Sequence, residues 1–295
     1  MTETTSPKER VGFSLSRVWA IAVNTFTESV RQKVFNILLV FALVVIACAL
    51  FFRQFDFGEE FKFVKDFCLG AMSVFGTCIA IVGTGMLLPN EVEHRTIYTI
   101  LSKPVRRFEF LLGKYLGSIQ LVLTSTVLMS MMFVVVLFVM MVVSQSRVRN
   151  EASQTKAESA RVELQAQYEQ IRAAALDPDI VKGVLLVFVK LCVLAAITLF
   201  VSTFSTSMVF NVIVSTMIFI AGHLVGAAKD MWGHLALAKW LLAIVPDLGA
   251  FNVADDIILG NVIPWGHVGS VALYGIVYAA AVVAAAHFVF EGREI

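Results

Sequence analysis

Charge is scarce in this chain. Of its 295 residues only 15% are Asp, Glu, Lys or Arg, and the two signs nearly cancel to a net charge of +1. No bulk field is present to steer a polyanion, so no nucleic-acid partner is expected. Cysteine is also sparse. Cys48, Cys68, Cys78 and Cys192 fall in apolar stretches without C-x-x-C spacing, which reads as small buried hydrophobes rather than a disulfide framework or a thiolate metal site. Signatures of bond chemistry are missing. There is no G-x-x-x-x-G-K-[ST] nucleotide loop, since Gly113-Lys114 lacks both the earlier glycine and the following hydroxyl. Neither H-E-x-x-H nor G-x-S-x-G occurs. No catalytic residue, metal or cofactor of its own is therefore expected of this chain.

What is abundant is apolar surface, at 58% of residues and a mean hydropathy of +0.82. Soluble domains average about 45–50% apolar and about 25% charged, so a polytopic membrane protein is the class that remains. Six runs suit a bilayer crossing: Asn36–Phe52, Phe67–Leu88, Phe110–Val143, Val184–Val201, Met208–Ala228 and Val268–Phe290. They are continuously apolar, without the alternation of barrel strands, so the fold is all-α. No continuous apolar run lies in the first 35 residues, so no cleavable signal peptide is expected. An even number of spans puts both termini on one side. In short loops and ends the lysines and arginines favour that side by 11 to 5, which assigns it to the cytoplasm of a cell (inner) membrane. The spans hold no acidic residue, which argues against proton- or sodium-coupled transport. Lys190 is the intramembrane cation; it either snorkels to headgroups or contacts an anionic substrate or lipid. His223 and His234 are scattered imidazoles, expected to be satisfied singly.

Four polar segments divide the chain into residues 1–35, 36–143, 144–182 and 183–295. In residues 13–33, Leu15, Val18, Trp19, Ala22, Phe26 and Val30 share one helical face, and Arg17, Asn24, Glu28 and Arg31 the other. This is the pattern of a helix lying in the membrane interface, the alternative being a helix packed on another protein surface. Residues 53–66 read as a short outer loop. Residues 144–182 are a helix-forming extracytoplasmic insert with a stripe of Leu164, Tyr168, Ile171 and Ala175, ended at Asp177 and Pro178. The insert reads as a solvated helical hairpin or as a docking surface for an extracytoplasmic protein. The loop 229–267, with Trp232, Trp240, Pro246, Gly249, Gly260 and Pro264, reads as half-immersed and re-entrant.

The loop 89–109 is the most charged short loop. Glu91–Leu101 fits a short amphipathic helix with acids early, ended at Pro104. Its residues extend into E-x-x-x-x-T-I-x-x-[LI]-L-S-x-P-V-x-R-x-E-F-x-x-G-K. Glu91 (or Glu93), Thr96, Ile97, Ile100, Leu101, Ser102, Pro104, Val105, Arg107, Glu109, Phe110, Gly113 and Lys114 supply it. A second element, Val245-Pro246-Asp247-Leu248-Gly249-Ala250-Phe251-Asn252, has the form P-[ND]-L-x-x-F-N. Together these resemble ABC-2 type transporter permeases, in particular the subgroup with gliding-motility permeases and nitrous-oxide-reductase maturation (NosY) permeases. The 144–182 insert departs from the compact members.

The resemblance implies a permease subunit exporting a substrate with energy from a separate cytoplasmic ABC ATPase, which would hold the ATP and Mg. It implies pairing with a second permease, as a homodimer or heterodimer. Residues 13–33 would be the connecting helix and Glu91–Leu101 the coupling helix. Glu91, Glu93, His94, Arg95 and Thr96 would contact the ATPase. Arg106 and Arg107 would anchor the far end of the segment on lipid phosphates or the ATPase. Pro246, Asp247, Phe251 and Asn252 would belong to the outer gate. Two rivals are a permease-like mechanotransmitter acting on an outer partner without transport, and a secondary transporter or channel.

Overall fold

The structure is a computed structural model describing residues 13–51, 57–89, 106–154, 158–232, 245–259, 261 and 263–292. In chain order its helices are α1 (Leu15–Arg31), α2 (Lys33–Cys48), α3 (Phe57–Gly85), α4 (Arg107–Gln154), α5 (Glu158–Ala175), α6 (Asp179–Phe204), α7 (Met208–Trp232), α8 (Ala254–Leu259) and α9 (Trp265–Glu291). Among the described residues no strand occurs, and six segments are long and apolar enough to cross a membrane. The protein is an all-helical, multi-pass membrane protein.

The most enclosed helix, α6, packs against α3, α4, α7 and α9. Its small and branched residues, including Val193, Leu194, Ala195, Ala196 and Leu199, are buried, as expected of a helix that is apolar all round. By contrast α2, α7 and α9 turn apolar side chains outward, such as Ile37, Phe41, Ile213, Met217, Leu273 and Ile276. Hydroxyls in the spans bond back to their own helix: Thr77 to the Ser73 carbonyl, Ser125 to that of Val122, Thr198 to that of Leu194. This is how a span carries Ser and Thr without water.

Helix α4 is continuous for 48 residues, about 72 Å at 1.5 Å per residue. It runs well past a hydrocarbon core of about 30 Å, and α5 folds back along its extension. The stripe on α5 is used internally: Ile171 and Ala175 are buried in the same core cluster as Val148 of α4. α5 therefore pairs with α4, with Ile171 and Ala175 of the stripe buried and Tyr168 exposed. The break at Asp177–Pro178 falls where α5 gives way to α6.

Two boundaries differ from expectation. The segment read as an outer loop at 53–66 is helical from Phe57, with Phe61 and Glu60 buried, so α3 begins outside the apolar run that marked it. Cys48 is exposed rather than buried, on a helix with a lipid-facing side.

Candidate functional site

The bundle has two ends, one at the start of α1 and α4 and the other at the insert. At the α1 end, residues 90–105, which hold Glu91, Glu93, His94, Arg95, Thr96 and Pro104, lie outside the described residues. Both chain ends that flank this segment are anchored.

On the departing side, α3 ends at Gly85. The Asn211 amide of α7 donates to the Gly85 carbonyl at 3.3 Å and to the Ser205 carbonyl at 3.4 Å. Asn211 is wholly buried, and it ties the end of α3 to the turn between α6 and α7. Hydropathy gave no signal for it, because one Asn in an apolar run barely changes the average.

On the returning side, Glu109 in the first turn of α4 receives Arg17 as a fork. Arg17 Nε donates to Oε2 at 2.9 Å and Nη2 to Oε1 at 2.8 Å. The Ser14 backbone N–H adds a third bond at 2.8 Å and that of Arg106 a longer one at 3.4 Å. Glu109 lies just ahead of the apolar run that begins at Phe110. Its carboxyl is held well below the usual carboxylate range, first by the Arg17 hydrogen bonds and then by the backbone N–H groups, against the opposing effect of burial.

One helical turn further on, Gly113 and Gly117 seat α1 directly on α4. A Cβ at Gly113 would stand 2.7 Å from Ile21 Cβ, and one at Gly117 2.6 Å from Thr25 Cβ and 2.8 Å from the Ala22 carbonyl. This is a small-x-x-x-small contact of the kind that lets helix backbones approach. The buried stripe of α1 is Val18, Ala22, Thr25 and Ser29, while Leu15 and Trp19 stay exposed. The interfacial pattern is thus split: small residues face α4, and the large apolar ones remain for the surroundings. Lys114, buried beside them, lies 3.9 Å from Glu28.

Arg107, which the resemblance assigns to lipid phosphates or the ATPase, has an internal partner as well. Its Nη1 donates to the Phe290 carbonyl in the last turn of α9 at 3.1 Å, and Phe110 stacks on Phe290 at 6.0 Å. A guanidinium beside an unsatisfied helix-end carbonyl is drawn to it rather than to solvent. Arg107, Glu109, Phe110 and Gly113 therefore bind α9, α1, α9 and α1 in turn, so this half of the motif is an internal joint.

At the insert end, residues 245–253 dip between α7 and α9. Leu248 N–H donates to the Gly222 carbonyl at 3.0 Å, ten residues before the end of α7. Phe251 is 1% exposed and lies 6.0 Å from the Tyr274 ring. Gly222 and Gly275 make room, since a Cβ on either would strike Leu248 or Phe251 within 3.0 Å. A Cβ at Gly226 would meet nothing within 4 Å among the described residues. Asp247 accepts from Lys229 Nζ at 2.7 Å, and its N–H donates to the Tyr274 hydroxyl at 3.0 Å. Pro246 contributes its carbonyl to the Gly222 contact, and Asn252 N–H closes a turn onto the Gly249 carbonyl at 2.9 Å. Trp240 and His234 of the 229–267 loop lie outside the described residues.

Nearby, Asp179 and Lys182 form a buried pair at 2.5 Å. Lys182 also donates to the Ile263 carbonyl at 2.7 Å, and the Ile263 N–H donates to Asp179 at 3.1 Å. Lys65 of α3 pairs with Asp177 at 2.7 Å. Lys190 is 3% exposed and donates to the Ser73 hydroxyl of α3, so its side chain is enclosed by the bundle. His223 places Nδ1 3.1 Å from the Phe219 carbonyl.

The family model for "ABC-2 family transporter protein" matches residues 19–239, three-quarters of the chain. The chain belongs to the ABC-2 transporter family. This ABC-2 protein is thus a membrane permease component of an ABC transporter, a transport subunit by family rather than a catalytic one. The match covers α1 from Trp19 on and the helices through α7, and it leaves out Ser14, Arg17 and residues 245–253. A search of curated proteins returned no match.

Proposed function

We propose that this permease exports a substrate by receiving conformational work from a separate cytoplasmic ABC ATPase through residues 91–101. In this reading Glu91, Glu93, His94, Arg95 and Thr96 dock on the ATPase and Pro104 ends the docking helix. Arg106 and Arg107 root the segment on α4. ATP and Mg belong to the partner, and a second permease, identical or related, completes the transport path. In this reading its inner motif groups it with the subgroup that contains the NosY and gliding-motility permeases.

The observation that carries the reading is the anchored pair of flanks. A displacement of residues 91–101 has two stiff exits, one through Gly85 and Asn211 into α7, the other through Glu109 into α1 and α4. The α7 exit leads to Gly222 and the 245–253 loop, the proposed outer gate formed by Pro246, Asp247, Phe251 and Asn252. Such coupling requires an element with two arrangements that both sites bias. Charge reversal at Glu91 and Glu93 together is expected to abolish co-purification with its ABC ATPase while membrane insertion is retained. Undiminished co-purification removes the docking assignment.

A second reading is favoured by one observation. The insert runs through Asp177 and Asp179 into ion pairs that hold α3 and the residue before α9. A protein on the outer side is then moved through 144–182 without any substrate crossing. Reconstitution with the ATPase separates the two: ATP-dependent export supports the first, and ATP-dependent motion of the insert with no export supports the second.

A further inference from the structure

Among the described residues four lysines are buried: Lys65, Lys114, Lys182 and Lys190. Three have a carboxylate at hand. Lys65 meets Asp177, Lys182 meets Asp179, and Lys114 lies 3.9 Å from Glu28. Lys190 has none, and among the described residues its ammonium has the Ser73 hydroxyl as its one hydrogen-bond acceptor. The carboxylates of its own two helices are elsewhere. Asp179 of α6 is held by Lys182, and Asp66, the last acid of α3, comes about two turns before Ser73. Close packing sets the pair together: a Cβ at Gly76, one turn beyond Ser73, would stand 2.5 Å from Leu191 Cδ1.

The donors at this point outnumber the acceptors. An ammonium offers three N–H groups, of which Ser73 takes one, and the Ser73 hydroxyl keeps its own proton to donate. The surroundings are apolar, with Leu186, Val187 and Leu194 buried one turn to either side of Lys190. A charge in such a place is costly unless an opposite charge meets it. The way in is from α3, where Ser73 is only partly buried and Val74 beside it is exposed. We infer that Lys190 and Ser73 form a binding site for one small oxyanion, a carboxylate or phosphate group, carried on an apolar body that is the exported cargo. The ammonium and the hydroxyl supply charge-assisted hydrogen bonds to the oxyanion, and the apolar body lies along α3. The enclosure of Lys190 admits a small head rather than a bulky one. The inference rests on the export reading for naming the occupant as cargo.

The test uses the full-length chain in phosphatidylcholine nanodiscs, without ATPase, and radiolabelled dodecanoate, dodecyl phosphate and dodecanol as probes. Saturable binding of one anionic probe per chain is expected, with no saturable binding of dodecanol. Lys190→Met is expected to weaken the anionic probes about tenfold or more, the effect of losing a charged hydrogen-bond partner. Arg172→Gln, on the insert helix, removes the same charge and is expected to change nothing. Ser73→Asp gives the ammonium a carboxylate of its own. It is expected to abolish anion binding and raise the melting temperature, and it serves if Lys190→Met fails to fold. Absent anion saturation, equal binding of dodecanol, or anion binding undiminished in Lys190→Met or Ser73→Asp overturns the site. Exclusion of dodecanoate by phosphatidylglycerol in the nanodisc makes a membrane phospholipid the occupant and overturns the cargo; unchanged binding supports it. Displacement of dodecanoate by acetate at equal concentration overturns the apolar body. With no ATPase present, failure here leaves the docking of residues 91–101 standing, and failure of the co-purification test leaves this site standing.

Discussion

Arg17 and Glu109 stand 92 residues apart in sequence and meet as a two-pronged ion pair, with the carboxylate fully buried and the guanidinium partly in contact with solvent. Through this pair the first described helix is fastened to the foot of the longest one. Glu109→Gln is expected to lower the melting temperature, since an amide cannot satisfy the fork and the backbone N–H groups together. The charge-swapped pair Arg17→Glu with Glu109→Arg is expected to recover part of the loss in a double-mutant cycle. The carboxyl is depressed below its ordinary value of 4.5. Its contribution is therefore complete above that pH and is lost as the pH falls through the lowered folded value. Melting curves at pH 7 and pH 5 should show the same gap between wild type and Glu109→Gln, and the gap should close only in stronger acid.

Gly117→Ala should destabilise. In an open helix the change is worth up to about 1 kcal/mol in favour of Ala. Here the new Cβ meets the Ala22 carbonyl at 2.8 Å, a backbone atom that cannot swing away. Overpacking of this kind costs about 1–3 kcal/mol. Gly226→Ala, with open space around it, is the comparison and is expected to be neutral or stabilising. Thermal melting of both variants gives the sign directly.

Lys190 and Ser73 should respond asymmetrically. Ser73→Ala removes the acceptor and leaves an ammonium enclosed by helices, a loss of about 1–3 kcal/mol. Lys190→Met removes the charge at similar length and is expected to cost less or to stabilise. If Lys190→Met alone abolishes export while melting normally, the lysine serves the cargo rather than the fold.

Asp179→Ala is expected to be among the most damaging single changes at the insert end, at about 3–5 kcal/mol. It strands Lys182 in the interior and leaves the Ile263 N–H without its acceptor. Amide hydrogen exchange around Ile263 should rise sharply in this variant, and unchanged protection there would show that the cluster does not hold the start of α9.

Gly222→Ala should loosen the 245–253 loop rather than α7, because the added methyl strikes Leu248 and the Pro246 carbonyl. Faster exchange of the Leu248 amide is the readout, and slower or uncoupled export the functional consequence.

The spans and the helices of the insert were legible because each is a local pattern of hydropathy or helix-forming residues. The joint at the α1 end was not. Its parts are two glycines, a Thr, a Ser and an ion pair, and averaging over a window treats all of them as absence of signal. The face of α1 illustrates this: Leu15 and Trp19 of the apolar face stay exposed, while close approach to α4 uses Ala22, Thr25 and Ser29. The partner of Lys190 was not legible, since nothing in the sequence sets Ser73 of α3 opposite it. Nor was the bond from Arg107 to the Phe290 carbonyl, because nothing in the sequence places the end of α9 beside it.

The uninterrupted course of α4 has a mechanical consequence. A stiff rod multiplies angle by length: a tilt of 5° about its foot carries the far tip through about 6 Å, taking 1.5 Å of rise per residue over its 48 residues. Its foot is pinned to α1 and its tip lies in the insert, so a motion small enough to leave the spans packed at one face of the membrane arrives at the other as a stroke the width of a side chain. In either proposed reading an unbroken backbone would let α4 act as a lever arm, with the insert as the end that moves.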